Sequence, residues 1–246
     1  MKTKIAKGET IKAAYRSAIH IVESHPLLTV LTTLGLLMLT VAATNGEFRP
    51  WFFMTLLMMA QTLVTVPLQL AGYRLLLQGR TNDHAWSSQT VVFCLLAVLS
   101  GAAFVFIAKL RLVLGLVGSI IQFALYYVLY YRLVLVLPAL ATDAGRSSIR
   151  LSWSATSGRA WFIFLVTVAS TAPILLVSLW MVTTGQISTL GSPVTPVGSV
   201  VQAIMAVVST VLVVGTNSAI YRALLNARNV DDGHKGMTEA GAVPRN

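Results

Sequence analysis

The run AWFIFLVTVASTAPILLVSLWMV, residues 160–182, decides the fold class. It carries no charge, and as a helix rising about 1.5 Å per residue it is long enough to cross about 30 Å of hydrocarbon. Lipid offers no partner to unpaired backbone groups, so such a run must be helical, and the alternating pattern of a barrel strand is missing. Outward from it, five further runs have the same character: roughly Pro26 to Ala43, Trp51 to Gly72, Val91 to Ala108, Leu112 to Tyr131 and Gly198 to Tyr221. Only Lys109, Leu110 and Arg111 separate the third from the fourth, which makes those two a tight hairpin. The expected fold is all-α: a polytopic bundle of six transmembrane helices, with spans near 26–43, 51–72, 91–108, 112–131, 160–182 and 198–221.

Composition excludes the main alternatives. Of 246 residues, 56% are hydrophobic and 11% charged, whereas about a quarter of a soluble domain is charged. A disordered chain would be poor in the Leu, Ile, Val and Phe that dominate here. The formal charge of +10 would suggest nucleic acid in a soluble protein, so its distribution matters. Lys2, Lys4, Lys7, Lys12 and Arg16 precede the first span, and Arg74 and Arg80 follow the second. Arg132, Arg146, Arg150 and Arg159 lie between the fourth and fifth, and Arg222, Arg228, Lys235 and Arg245 follow the sixth. The opposite side receives only Arg49, Lys109 and Arg111 of the 18 basic residues. Basic loops stay in the cytoplasm, so the charge is a topology signal that places both termini inside a bacterial inner membrane. It calls for anionic lipid as a partner, and not for nucleic acid.

The chain divides accordingly into a cytoplasmic segment 1–25, the membrane domain 26–222 and a cytoplasmic tail 223–246. The first segment does not read as a cleavable signal peptide. Ile11, Tyr15, Ala18, Ile19 and Val22 share one helical face opposite Lys12, Arg16 and Glu23, the pattern of an amphipathic helix lying in the membrane interface. Ile149 to Trp153, with Arg150 opposite, is a second such segment. Cys94 is the single cysteine, which excludes an intrachain disulfide.

These two segments begin a weak internal parallel repeat. Ile11, Lys12 and Tyr15 match Ile149, Arg150 and Trp153, and each set leads into two spans. The second of those spans ends in Tyr73-Arg74-Leu75-Leu76-Leu77-Gln78-Gly79-Arg80 in one copy and Tyr221-Arg222-Ala223-Leu224-Leu225-Asn226-Ala227-Arg228 in the other. The third and fourth spans are inserted between copies. Tyr131-Arg132 gives another Tyr-Arg pair at a span end. At such ends Tyr73, Arg74, Tyr131, Arg132, Tyr221 and Arg222 suit anchoring in the headgroup layer, or contact with a lipid phosphate.

From Tyr131 to Trp161 the chain runs through Arg132, Pro138, Asp143, Ser152 and Gly158 into the fifth span. This order resembles the membrane domain of some bacterial glycerophosphodiester phosphodiesterases and of related stand-alone six-span proteins. The resemblance implies a helical inner-membrane protein without the catalytic barrel of the fused enzymes, since no His-Arg-Gly followed by a Glu-x-Asp pair occurs. On the residues alone, too, no catalytic constellation is found. His20, His25, His84 and His234 are scattered and converge with no set of metal ligands; no phosphate loop, Gly-x-Ser-x-Gly elbow or His-Glu-x-x-His is present. No cofactor or metal is implied.

The spans hold no Asp or Glu, which argues against ion-coupled transport. Their polar residues are uncharged: Gln61, Thr65 and Gln69 on one face near Pro67, Thr167, Ser170 and Thr171 before Pro173, and Gln122 and Gln202. Interhelical hydrogen bonding and relief of proline-freed carbonyls is one use, and a polar path between helices is the other. Gly115/Ser119 and Gly215/Ala219 have the spacing of close helix contacts. The expected function is a non-enzymatic protein that binds lipid or a membrane-protein partner, or forms a homo-oligomer, in organising an envelope assembly; the alternative is a small transporter or lipid-moving carrier.

Overall fold

The computed structural model describes residues 6–44, 51–79, 90–100, 115, 117–118, 120–121, 131, 134–142, 148–186 and 195–240; for 43–44, 51–55, 58, 148–151 and 228–240 the description is of the backbone only. Among these residues the chain is 92% helical, without strands. The helices are α1 (Lys7–Ser24), α2 (Pro26–Thr44), α3 (Trp51–Gln78), α4 (Thr90–Ser100), α5 (Val136–Ala141), α6 (Ser148–Thr156), α7 (Ala160–Thr183) and α8 (Pro196–Ala240). Within α7 and α8, Ala160–Thr183 and Pro196–Ala227 are each long and apolar enough to cross a membrane, and α1 with α2 passes the same test as one bent pair. That is two or three candidate spans among the described residues, against six apolar runs in the sequence. Residues 101–108 of the third run and most of 112–131 lie outside the described residues. Val134 and Leu135 form a turn before α5, and α8 continues as a helix to Ala240, into the segment read as the tail.

The break between α1 and α2 has a local cause. Pro26 disfavours the helical conformation at the residue before it, and His25 adopts φ −130°, ψ 56°. The same proline is well placed at the first position of α2. The axes consequently diverge by 93°.

α1 packs chiefly on α8 and also against α7. Its buried line is Thr10, Ala14, Ala18 and Ile21, which is rotated from the apolar face read in the sequence: Ile19 and Val22 are exposed. Size decides this. Ala14 and Ala18 let the backbones approach until a Cβ on Gly215 of α8 would lie 2.6 Å from the Ala14 carbonyl oxygen, so glycine is required there. Gly215 thus makes the close contact its spacing suggests, but with α1; a Cβ added at Gly115, where φ is +55°, would meet nothing within 4 Å.

Pro173 lacks the N–H that would bond the Ala169 carbonyl four residues earlier. In place of the nearby hydroxyls expected to relieve it, Tyr15 of α1 supplies the donor: its hydroxyl lies 3.1 Å from both the Ala169 and Ser170 oxygens. Tyr15→Phe is therefore expected to loosen α1 and lower stability by about 1–2 kcal/mol. Thermal unfolding in detergent checks this; an unchanged melting temperature would argue against it.

Two apolar clusters result. One joins Ile21, Leu36, Leu68, Phe93, Val207 and Val214 with their neighbours. The other joins Tyr131, Leu135, Phe162, Val166, Ile220 and Leu224.

Candidate functional site

The repeat string on α3 leads to a buried polar cluster. A helix ends with carbonyls that lack intrahelical donors and with a partial negative charge. The short α5 ends this way at Ala141 and Thr142, and α3 covers it. Arg74 donates from Nε to the Ala141 oxygen (3.4 Å) and from Nη2 to Thr90 Oγ1 (2.9 Å). One turn later, Gln78 Nε2 donates to the Thr142 oxygen (2.9 Å). Spacing of four residues puts both donors on one face of α3. Arg74 is only 8% exposed.

Tyr73 is buried beside them, edge-on to Phe93, and its hydroxyl accepts a hydrogen bond from Asn217 Nδ2 of α8 at 3.1 Å. Tyr131 is buried too, its hydroxyl donating to the Thr156 oxygen at the end of α6. Tyr221 is buried against the Thr142 side chain. All three tyrosines therefore direct their hydroxyls into the protein.

The second copy of the string has the same sequence pattern and a different environment. Arg222 and Asn226, the counterparts of Arg74 and Gln78, are exposed on α8. The packing differs in the same way: α1 leans on α7 and α8, whereas among the described residues α6 makes no comparable contact with α2 or α3.

The other expected residues are dispersed. On α3, Gln69 Nε2 donates to Thr65 Oγ1 (3.1 Å), whose hydroxyl donates to the Thr62 oxygen (2.8 Å); Gln61 is half-buried on the same helix. On α7, Thr171 donates to the Thr167 oxygen at 2.9 Å. Gln202 is half-buried on α8. Of the resemblance residues, Pro138 is buried in α5, Ser152 is buried in α6, and Gly158, at φ +71°, makes the left-handed turn between α6 and α7 that glycine favours. Arg132, Asp143 and Gln122 lie outside the described residues.

Sequence reasoning does not single out Thr90, Asn217, Tyr15 or Arg159 as site residues. Arg159 Nη1 reaches the Leu224 oxygen at 3.4 Å. The one available signal is Asn217, an amide inside an apolar run.

Four buried hydroxyls, on Thr167 and Ser170 of α7 and on Thr216 and Ser218 of α8, have no hydrogen-bond partner among the described residues. Ser170 and Gly215 both adjoin the Ala14–Ala18 stretch of α1. Among the described residues no group of three or more His, Cys, Asp or Glu side chains could hold a metal ion. No protein-family model matches the chain, and no curated protein or solved structure is significantly similar to it.

Proposed function

We propose that the chain is a non-enzymatic, multi-pass protein of the bacterial inner membrane, with six spans and both termini in the cytoplasm, that binds anionic lipid and helps to organise an envelope assembly with a membrane-protein partner or a second copy of itself. The observation that carries this reading is the outer surface of α1. Lys12 and Arg16 are exposed there, with exposed Ile19 and Val22 on the same helix. Small residues hold the opposite face against α8. Basic and apolar side chains together on an amphipathic helix suit a negatively charged headgroup layer.

The experiment is lipid retention. Protein extracted in native nanodiscs is expected to carry anionic lipid in excess over the bulk membrane, and Lys12→Glu with Arg16→Glu to reduce that excess several-fold without unfolding the protein. Equal lipid profiles for the two proteins would sink the reading.

A second reading, a small carrier with a polar path, rests on the four buried hydroxyls of α7 and α8. Solute flux in liposomes that is lost in Ser170→Ala with Thr216→Val would favour it over the first.

A further inference from the structure

Four helices meet α1 at one level. α2 begins at Pro26, directly after the 93° bend. Gly72 of α3 and Val214 of α8 both border Ile21, Gly215 of α8 borders Ala14 and Ala18, and α7 meets Tyr15 at Ala169 and Ser170. From this level to the far end of each helix, α2 (to Thr44) and α8 (from Pro196) rise about 28 Å and α3 (from Trp51) about 31 Å. These three lengths agree with one another and with a hydrocarbon core of about 30 Å, while α7 rises only about 21 Å from Ala169 to its end at Thr183.

The distribution of exposed apolar side chains marks the same level independently. On α8 the exposed ones are Val197, Val200, Ile204 and Val208, and after Gly215 the exposed positions up to Ala227 are Arg222 and Asn226. On α7, Leu175, Leu176, Val177, Leu179 and Trp180 are exposed on one side of the Tyr15 contact; on the other, Val168 is exposed directly beside that contact and Trp161 two turns further on. α2 lies wholly on the apolar side and exposes Leu27, Leu31 and Met38 among others.

We infer that α1 lies in the headgroup layer at the edge of the hydrocarbon, and that α7 before Ala169 and α8 after Gly215 rise out of the bilayer. With α5, α6 and the last turns of α3 they form a cap around the second apolar cluster, so residues 160–168 and 216–221 belong to no span although they are apolar. The alternative placement, with lipid reaching Ala160 and Tyr221, would sink the exposed Glu9, Lys12, Arg16 and Glu23 of α1 toward the middle of the membrane. Charges at that depth are found facing protein or a water-filled cavity. The surface recognised by acyl chains is thus the belt from α1 to the far helix ends, and the partner is the lipid itself. The inference is independent of which lipid headgroup or protein the chain binds.

Nitroxide accessibility tests it. In a Cys94→Ala background reconstituted in phosphatidylethanolamine and phosphatidylglycerol nanodiscs, single labels at Val208→Cys and Leu176→Cys are expected to collide preferentially with oxygen. Labels at Trp161→Cys and Asn226→Cys, all four being exposed positions, are expected to collide several-fold more with a water-soluble nickel chelate. Oxygen preference at Trp161→Cys or Asn226→Cys equal to that at Val208→Cys would overturn the cap and restore the longer spans.

Discussion

Gly215→Val is expected to detach α1 from α8 and to lower stability by about 3 kcal/mol, the upper part of the range for overpacking a close contact. The added Cβ would lie 2.6 Å from the Ala14 carbonyl oxygen and 3.2 Å from the Ala18 nitrogen. Both are backbone atoms, so no rotamer change relieves the clash and the helix must move as a body. Movement of α1 also carries Tyr15 away from Ala169 and Ser170, which adds the loss of a buried hydrogen bond. The measurement is thermal unfolding in detergent together with the distance between labels on α1 and α8. Ala14→Gly should not rescue the variant, because the carbonyl stays in place. A Gly215→Val protein with native melting and an unchanged distance would mean that the helices are not in close contact.

Arg74→Ala is expected to cost about 3 kcal/mol, through a cavity and through loss of donors to a buried helix end. The Ala141 oxygen and Thr90 Oγ1 both lose the guanidinium. Arg74→Lys should recover only part, since one ammonium does not reproduce a planar fork that reaches two acceptors. Arg222→Ala, the same substitution in the second copy of the string, should change stability by less than about 0.5 kcal/mol, as exposed positions usually do. Equal losses at 74 and 222 would show that the two copies are structurally equivalent after all.

That contrast shows how far the residues can be read in advance. The string Tyr-Arg-x-Leu-Leu-amide is visible twice, and the tyrosines are buried in both copies. The role of the arginine is not visible, because α5 lies against α3, whereas Arg222 is exposed among the described residues. Pro173 and its freed carbonyl are legible from the chain, yet its donor comes from Tyr15, more than 150 positions away. The apolar face of α1 is not its buried face because hydrophobicity ranks Ile19 and Val22 above Ala14, whereas close packing ranks by size. In a lipid environment an exposed isoleucine costs nothing, so the inner face is free to be built of small residues.

By itself the sequence determined that the protein is helical and that its helices suit a membrane, because the hydrocarbon's demands for length, apolarity and internal hydrogen bonding act on each segment separately. It also determined the uneven distribution of the basic residues. Only the tertiary structure decided which face α1 buries, which of two matching arginines caps a helix, and the common level at which α1 meets α2, α3, α7 and α8. Those depend on backbone approach and on donors and acceptors from distant parts of the chain, which no single segment encodes.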